Sequence, residues 1–247
     1  MTLSPAFNAA TYNIGDGPDD AKVKHLEHLT DHYGVSIVGM QECSDRRKTL
    51  ARFRKRNPSW KVYQSRLPGG AADPIIWDGD EWEVLTKRSV LAVRRRRVGP
   101  RGAGPSVIKT KRVTVVVLRH RHTGEVVTVI NLHPLPSASR HDLPAEEKAA
   151  REKHFREHIA CVVAILAATD GAVVLTGDLN AADDFQPMRP LHIAGLVGWT
   201  QSPTHGRETF DYVLSRLLEL VREKVVAGGS DHCTVIHMFR FLPKEHR

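Results

Sequence analysis

The chain has 247 residues, of which 41% are apolar and 26% charged; this is enough to bury a sizeable core and excludes a disordered or fibrous polymer. The formal charge is +8 and unevenly spread: "DRRKTLARFRKRNPSWK" (45–61) and "VRRRRVGPRG" (93–102) are basic, and no Asp or Glu occurs between Lys87 and Arg121. Such clustering points to a polyanionic partner, most simply nucleic acid, while the lack of any apolar run near the ~20 residues that span a bilayer excludes a helical membrane anchor.

The start of the chain, "MTLSPAFNAATYNIG", has no basic stretch followed by an apolar core, so no secretory signal is expected. Three scattered cysteines (Cys43, Cys161 and Cys233) fit neither a disulfide framework nor a zinc cluster. A reducing, cytoplasmic setting is expected, with no membrane contact and no evident protein partner.

In chain order, 19–34 "DDAKVKHLEHLTDHYG" predicts a helix, acidic at its start and stopped by Gly34. Next, 35–42 "VSIVGMQE" is short, β-branched and almost continuously apolar, as a strand buried on both faces should be. A second helix is predicted over 44–57, capped by Ser44 or Asp45 and halted before Pro58. Strands follow at 73–78 and 90–97. The runs 111–121 and 125–133 flank "HTGE" and read as a hairpin. The segment 143–170 is the best helix: Phe155, Ile159, Val162 and Leu166 form one stripe, with Gly171 as the stop. Further strands are predicted at 172–180, 209–216 and 230–241. The stretches 98–106 and 133–144 are Pro/Gly/Ser-rich and read as exposed loops. No linker divides the chain. Hairpins mixed with crossover helices predict one α/β domain over 1–247, two packed sheets with helices outside.

The strand ends carry the chemistry. "TYNI" holds Asn13, "VGMQE" ends in Gln41 and Glu42, "VINLH" in Asn131 and His133, "VVLTGDLN" in Asp178 and Asn180; "TFDYVL" contains Asp211, and "GSDH" supplies Asp231 and His232. Strand ends on one rim of a sheet stack converge on one cleft. Oxygen donors without a Cys-His cluster suit Mg²⁺ or Mn²⁺, and the set suits a phosphate ester.

These six segments, in this order, resemble the endonuclease/exonuclease/phosphatase superfamily, the DNase I-like fold, from about residue 10 to about residue 240. The resemblance implies a four-layered α/β sandwich, two packed mixed β-sheets flanked by helices, and cleavage of phosphoester bonds with a divalent metal. It implies Glu42 as the main metal carboxylate beside Asn13, with Asp231 as a further metal or polar-network residue. It implies Asp178 as the residue that orients or deprotonates water, and Asn180 as an amide donor to the scissile phosphate. His232 becomes the catalytic imidazole paired with Asp211, and His133 the second histidine. Whether His232 acts as acid or base stays open. Another phosphate-contacting side chain is expected from mid-chain, and Arg112 is the candidate.

Three functions fit this reading: a Mg²⁺- or Mn²⁺-dependent nuclease on DNA or RNA, favoured by the basic blocks; a phosphatase or phosphodiesterase on small molecules or lipid head groups; and a non-catalytic binding module, disfavoured because crowded like charges need a reason. Trp60, Trp77 and Trp82 would stack on bases if exposed; core packing is the default for them.

Overall fold

A computed structural model describes residues 6–44, 47–98, 106–136 and 144–243. Its elements in order are β1 (Ala6–Asn13), α1 (Asp19–Tyr33), β2 (Val35–Gln41), α2 (Arg47–Arg56), β3 (Trp60–Tyr63), β4 (Ile75–Asp78), β5 (Trp82–Val93), β6 (Arg96–Val98), β7 (Ser106–Ile108), β8 (Lys111–His120), β9 (Val126–Leu132), α3 (Ala145–Ala167), β10 (Ala172–Asp178), α4 (Arg189–Ile193), β11 (Asp211–Arg216), β12 (Leu218–Ala227) and β13 (Cys233–Phe241).

One sheet runs β12-β13-β1-β2-β4-β3 and the other β11-β10-β9-β8-β5, with β6 and β7 forming a separate ribbon. Each sheet is mixed: β1 and β2 are parallel, as are β9 and β10, and the remaining pairs are antiparallel. Period-2 alternation explains how the central strands are buried on both faces. In β8, Val113 and Val115 pack under α3, while Val116 and Leu118 face the other sheet. In β2, Ile37 faces the other sheet, while Val38 and Met40 pack under α1 and α2. Helices α1 and α2 therefore cover one sheet, and α3 and α4 the other, giving the four layers expected. Side chains such as Trp82, Val116, Val174 and Phe239 fill the space between the sheets, each stabilising the fold by roughly 1.5–3 kcal/mol on burial.

Local signals act as read. Gly34 ends α1 at φ 57°, the left-handed cap a residue with a side chain adopts only at a cost. The stripe Phe155, Ile159, Val162, Leu166 is buried. Gly39 sits where the sheets approach most closely: a Cβ there would lie 1.8 Å from Thr176 Oγ1. Among the described residues no helix is long and apolar enough to cross a membrane.

Several expectations shift. The strand expected at 90–97 is two: β5 begins at Trp82 and ends at Val93, and β6 starts at Arg96. Helix α3 ends at Ala167, before Gly171, where the Ala168 amide bonds the Ala164 carbonyl. Asp211 opens β11 instead of lying inside a strand. The default reading holds for Trp60, Trp77 and Trp82, which are core residues; the Trp82 indole donates to Ser36 Oγ at 3.0 Å. Asp45 and most of the two loop predictions (99–105 and 137–143) lie outside the described residues.

Candidate active site

The topology gathers the polar strand ends on one rim. Parallel pairing brings Asn13 beside Gln41 in one sheet and Gly177 beside Leu132 in the other. Antiparallel neighbours then contribute their first residues: Asp211 stands opposite Asp178, and β8 brings Lys111 to the same end as His133. A hydrogen bond across the sheets, Asn13 Nδ2 to Asp178 Oδ2 at 2.9 Å, joins the two rims. The loop before β13 is tied in by Ser230, whose Oγ donates to the Asn13 carbonyl at 2.7 Å and accepts from the His232 amide.

Asp178 is the buried centre. Its Oδ1 accepts from the Asn180 amide at 2.9 Å. Its Oδ2 lies 3.5 Å from His133 Nε2 and 3.8 Å from His232 Nε2, too far for good hydrogen bonds. Burial, then the neighbouring Asp211 charge, pushes its carboxyl up to about 7. His232 Nδ1 is 2.8 Å from Asp211 Oδ2. Burial alone would depress this imidazole, but the Asp211 hydrogen bond and charge, with Asp178 and Asp231, hold it up at about 9. Thr204 Oγ1 accepts from the Asp211 amide and so fixes the start of β11.

On the other side, His133 is buried and pushed well below the usual imidazole value by desolvation and then by the Lys111 charge. Asp73 Oδ1 is 3.9 Å from His133 Nδ1, and neither Asp73 oxygen has a hydrogen-bond partner. Burial raises the Asp73 carboxyl to about 7. Lys111 has its pKa lowered by burial, against the pull of Asp73, Asp178 and Glu42. A cleft of about 750 Å³ opens here, with Glu42 and His133 among its lining residues and Arg95, Lys109 and Lys111 as its cations.

The oxygen ligands expected for a hard cation also converge. A Cβ built on Gly15 would lie 3.0 Å from Asp231 Oδ1, 3.3 Å from Glu42 Oε2 and 3.4 Å from Asn13 Oδ1. Three oxygen-bearing side chains thus surround a backbone position that lacks a side chain, a cradle whose donors suit Mg²⁺ or Mn²⁺. The buried Lys22 of α1 holds this turn by donating to the Gly15 carbonyl. Glu42 and Asn180 both have left-handed backbones, φ 61° and 53°. A glutamate in that region is strained, and such strain is kept where a side chain must be aimed.

All eight site residues expected from sequence, Asn13, Glu42, His133, Asp178, Asn180, Asp211, Asp231 and His232, therefore lie on this rim. Gln41 and Asn131 are structural: the Gln41 amide donates to Asn131 Oδ1 at 2.7 Å, and Asn131 donates to the Met40 and Pro74 carbonyls. Leaving one such buried group unpaired would cost about 1–3 kcal/mol. Arg112 is a correction. Its guanidinium bonds Ser89 Oγ and the Ser89 carbonyl, and it is its neighbour Lys111, on the opposite face of β8, that lines the cleft. In the first basic block Arg52 pairs with Asp20, Arg56 with Glu27, and Arg54 donates to the Trp60 carbonyl. The sequence reading missed Lys111, Asp73 and His205. His205 stacks on His232 with centroids 4.4 Å apart.

The model of the endonuclease/exonuclease/phosphatase family matches residues 10–232. No curated protein sequence matches the chain. Among solved structures, a Bacteroides thetaiotaomicron protein of that family aligns over 98% of this chain and 100% of its own, at TM-score 0.75 and 15% identity. The mannosyl-6-phosphatase Bt3783 of the same species aligns over 95% and 100%, at 0.70 and 14%. D. rerio TDP2 complexed with a single-strand DNA product aligns over 95% and 99%, at 0.69 and 12%. At these identities the likeness is one of fold.

Proposed function

The chain belongs to the endonuclease/exonuclease/phosphatase family, whose members are phosphoester hydrolases, and from that premise we propose that residues 1–247 act as a single divalent-metal-dependent phosphodiesterase on nucleic acid. One observation carries the reading: a buried carboxylate, Asp178, stands between two imidazoles, one of which, His133, lines a cleft walled by Arg95, Lys109 and Lys111. Those cations suit the repeated charges of a polynucleotide backbone.

In this reading Asn13, Glu42 and Asp231 hold Mg²⁺ or Mn²⁺. When bound, the ion supplies charge neutralisation at the phosphate oxygens. Asp178, with a carboxyl poised near neutral pH, aligns the attacking water and accepts its proton. His232 is the imidazolium, kept charged by Asp211, and donates a charge-assisted hydrogen bond to a phosphoryl oxygen as negative charge builds. Asn180 offers its amide to another phosphoryl oxygen. His133, neutral, holds the substrate through hydrogen bonding, and Lys111 binds the phosphate from the cleft wall. His232 is thereby read as electrostatic stabiliser rather than base.

A second reading rests on the same cleft. Its 750 Å³ falls within the range that encloses small ligands, roughly 300–1,000 Å³, so a sugar phosphate or another small phosphoester also fits. The test is a panel of plasmid, single-stranded DNA, RNA and phosphomonoesters, each with Mg²⁺, Mn²⁺ or chelator. Polynucleotide hydrolysis that chelator abolishes and rising salt suppresses is expected, with Lys111→Met lowering the salt slope by about one. A salt-insensitive enzyme that turns over only phosphomonoesters transfers the site to small substrates. Inactivity on every phosphoester with every metal overturns both readings.

A further inference from the structure

The loop Ser230–His232 faces two ways. Asp231 Oδ1 looks toward the oxygen cradle around Gly15, whereas Oδ2 lies 3.4 Å from His205 Nε2. The His205 ring stacks on His232 at an interplanar angle of 28°, so a shared ion requires the partly exposed His205 ring to turn out of the stack. One ligand atom from each of His205, Asp231 and His232 falls within 4.8 Å of the others.

The chemistry of this second cluster differs from that of the cradle. Two imidazoles and one carboxylate form a ligand set of Zn²⁺, with further positions left to water. Imidazole nitrogen favours late first-row ions over Mg²⁺ and Mn²⁺. A second observation points the same way. His232 Nδ1 is engaged by Asp211 Oδ2 at 2.8 Å, so the nitrogen left for a ligand is Nε2. A carboxylate behind the far nitrogen is the arrangement that orients and strengthens a metal-bound imidazole. Access is provided by His205, whose side chain is 41% exposed.

We propose that His205, Asp231 and His232 form a Zn²⁺-selective site distinct from the oxygen cradle, and that filling it switches the enzyme off. Zn²⁺ there displaces the Nε2 proton of His232 to solvent and takes the same nitrogen that would meet the phosphate, and it draws on the carboxylate that the cradle shares. Inhibition rests on the role assigned to His232 above; binding does not.

The experiment separates the two. Binding of Zn²⁺ is measured by calorimetry, and of Co²⁺ by its ligand-field absorption, in the metal-free chain and in His205→Phe, which keeps a stacked ring and removes the ligand. His205→Phe is expected to weaken Zn²⁺ by at least about tenfold and to remove the Co²⁺ spectrum. With Mg²⁺ and bis(p-nitrophenyl) phosphate or plasmid DNA, and each protein normalised to its own zinc-free rate, the Zn²⁺ concentration for half-inhibition should rise in His205→Phe by the same factor as the binding constant. Equal Zn²⁺ affinity in wild type and His205→Phe overturns the site and leaves the proposed function standing. Binding that depends on His205 but leaves turnover untouched overturns the switch, and with it the role given to His232.

Discussion

The two histidines beside Asp178 come from opposite sheets, and their surroundings set them in opposite states. His232, before β13, has a carboxylate at 2.8 Å, and its pKa rises. His133, after β9, has its two nearest carboxylates, Asp178 and Asp73, at 3.5 and 3.9 Å and a lysine charge beside it, and desolvation lowers its pKa. Both rings are buried, so burial does not distinguish them. What does is an acid at 2.8 Å against one at 3.5 Å, the difference between a hydrogen bond and mere proximity. In the proposed mechanism, near pH 7, one side of the site is an imidazolium and the other a neutral ring, which divides the labour between stabilising charge and positioning.

The strongest way to break this contrast is to delete each ring. His232→Ala is expected to lower kcat by about 10²–10⁴-fold, and Asp178→Asn by a similar factor, with far-ultraviolet circular dichroism unchanged. His133→Ala should cost less, on the order of tenfold, and mainly in KM. Equal losses at the two histidines would erase the asymmetry. A subtler change, Asp211→Asn, sharpens it. The amide can no longer stabilise the imidazolium, so the alkaline limb of the pH–rate profile should move from near pH 9 toward or below 6.5. An alkaline limb that stays at pH 9 in this variant would show that Asp211 does not hold the proton on His232.

The smallest effect concerns stability on the His133 side. The Asp73 carboxyl has a folded value near 7 against 3.8 unfolded. A raised value means its contribution is best below pH 3.8, where it is neutral in both states, and worsens as pH climbs through 7. Asp73→Asn should therefore raise the Tm of the metal-free chain at pH 8 by several degrees, and by much less near pH 4. A Tm difference that does not change with pH would mean that Asp73 is ionised in the fold without penalty.

Much of the fold and the site was legible because central strands are buried on both faces and end abruptly in polar residues. The runs at 35–42, 111–121 and 172–180 read as strands for that reason. Two of the edge strands gave no such signal. β12 and β5 each close one side of a sheet and carry charged residues, Glu219, Arg222, Glu223 and Lys224 in β12 and Glu83, Lys87 and Arg88 in β5, as edges do to avoid pairing with other chains. The missed site residues share a cause. Lys111 begins a strand and stands among other basic residues, Asp73 precedes the short β4, and His205 lies in a loop, so no local pattern separates them from solvated neighbours. Arg112 was chosen over Lys111 because sequence order cannot tell which of two adjacent side chains faces the cleft; that depends on the pleat of β8.

The positive φ of Glu42 sets durability against performance. Glycine would occupy that left-handed backbone without steric cost, so laboratory evolution scored only on heat resistance would drift the position toward glycine and discard the carboxylate. A thermostabilised version of this molecule obtained without an activity screen should be inspected first at residue 42.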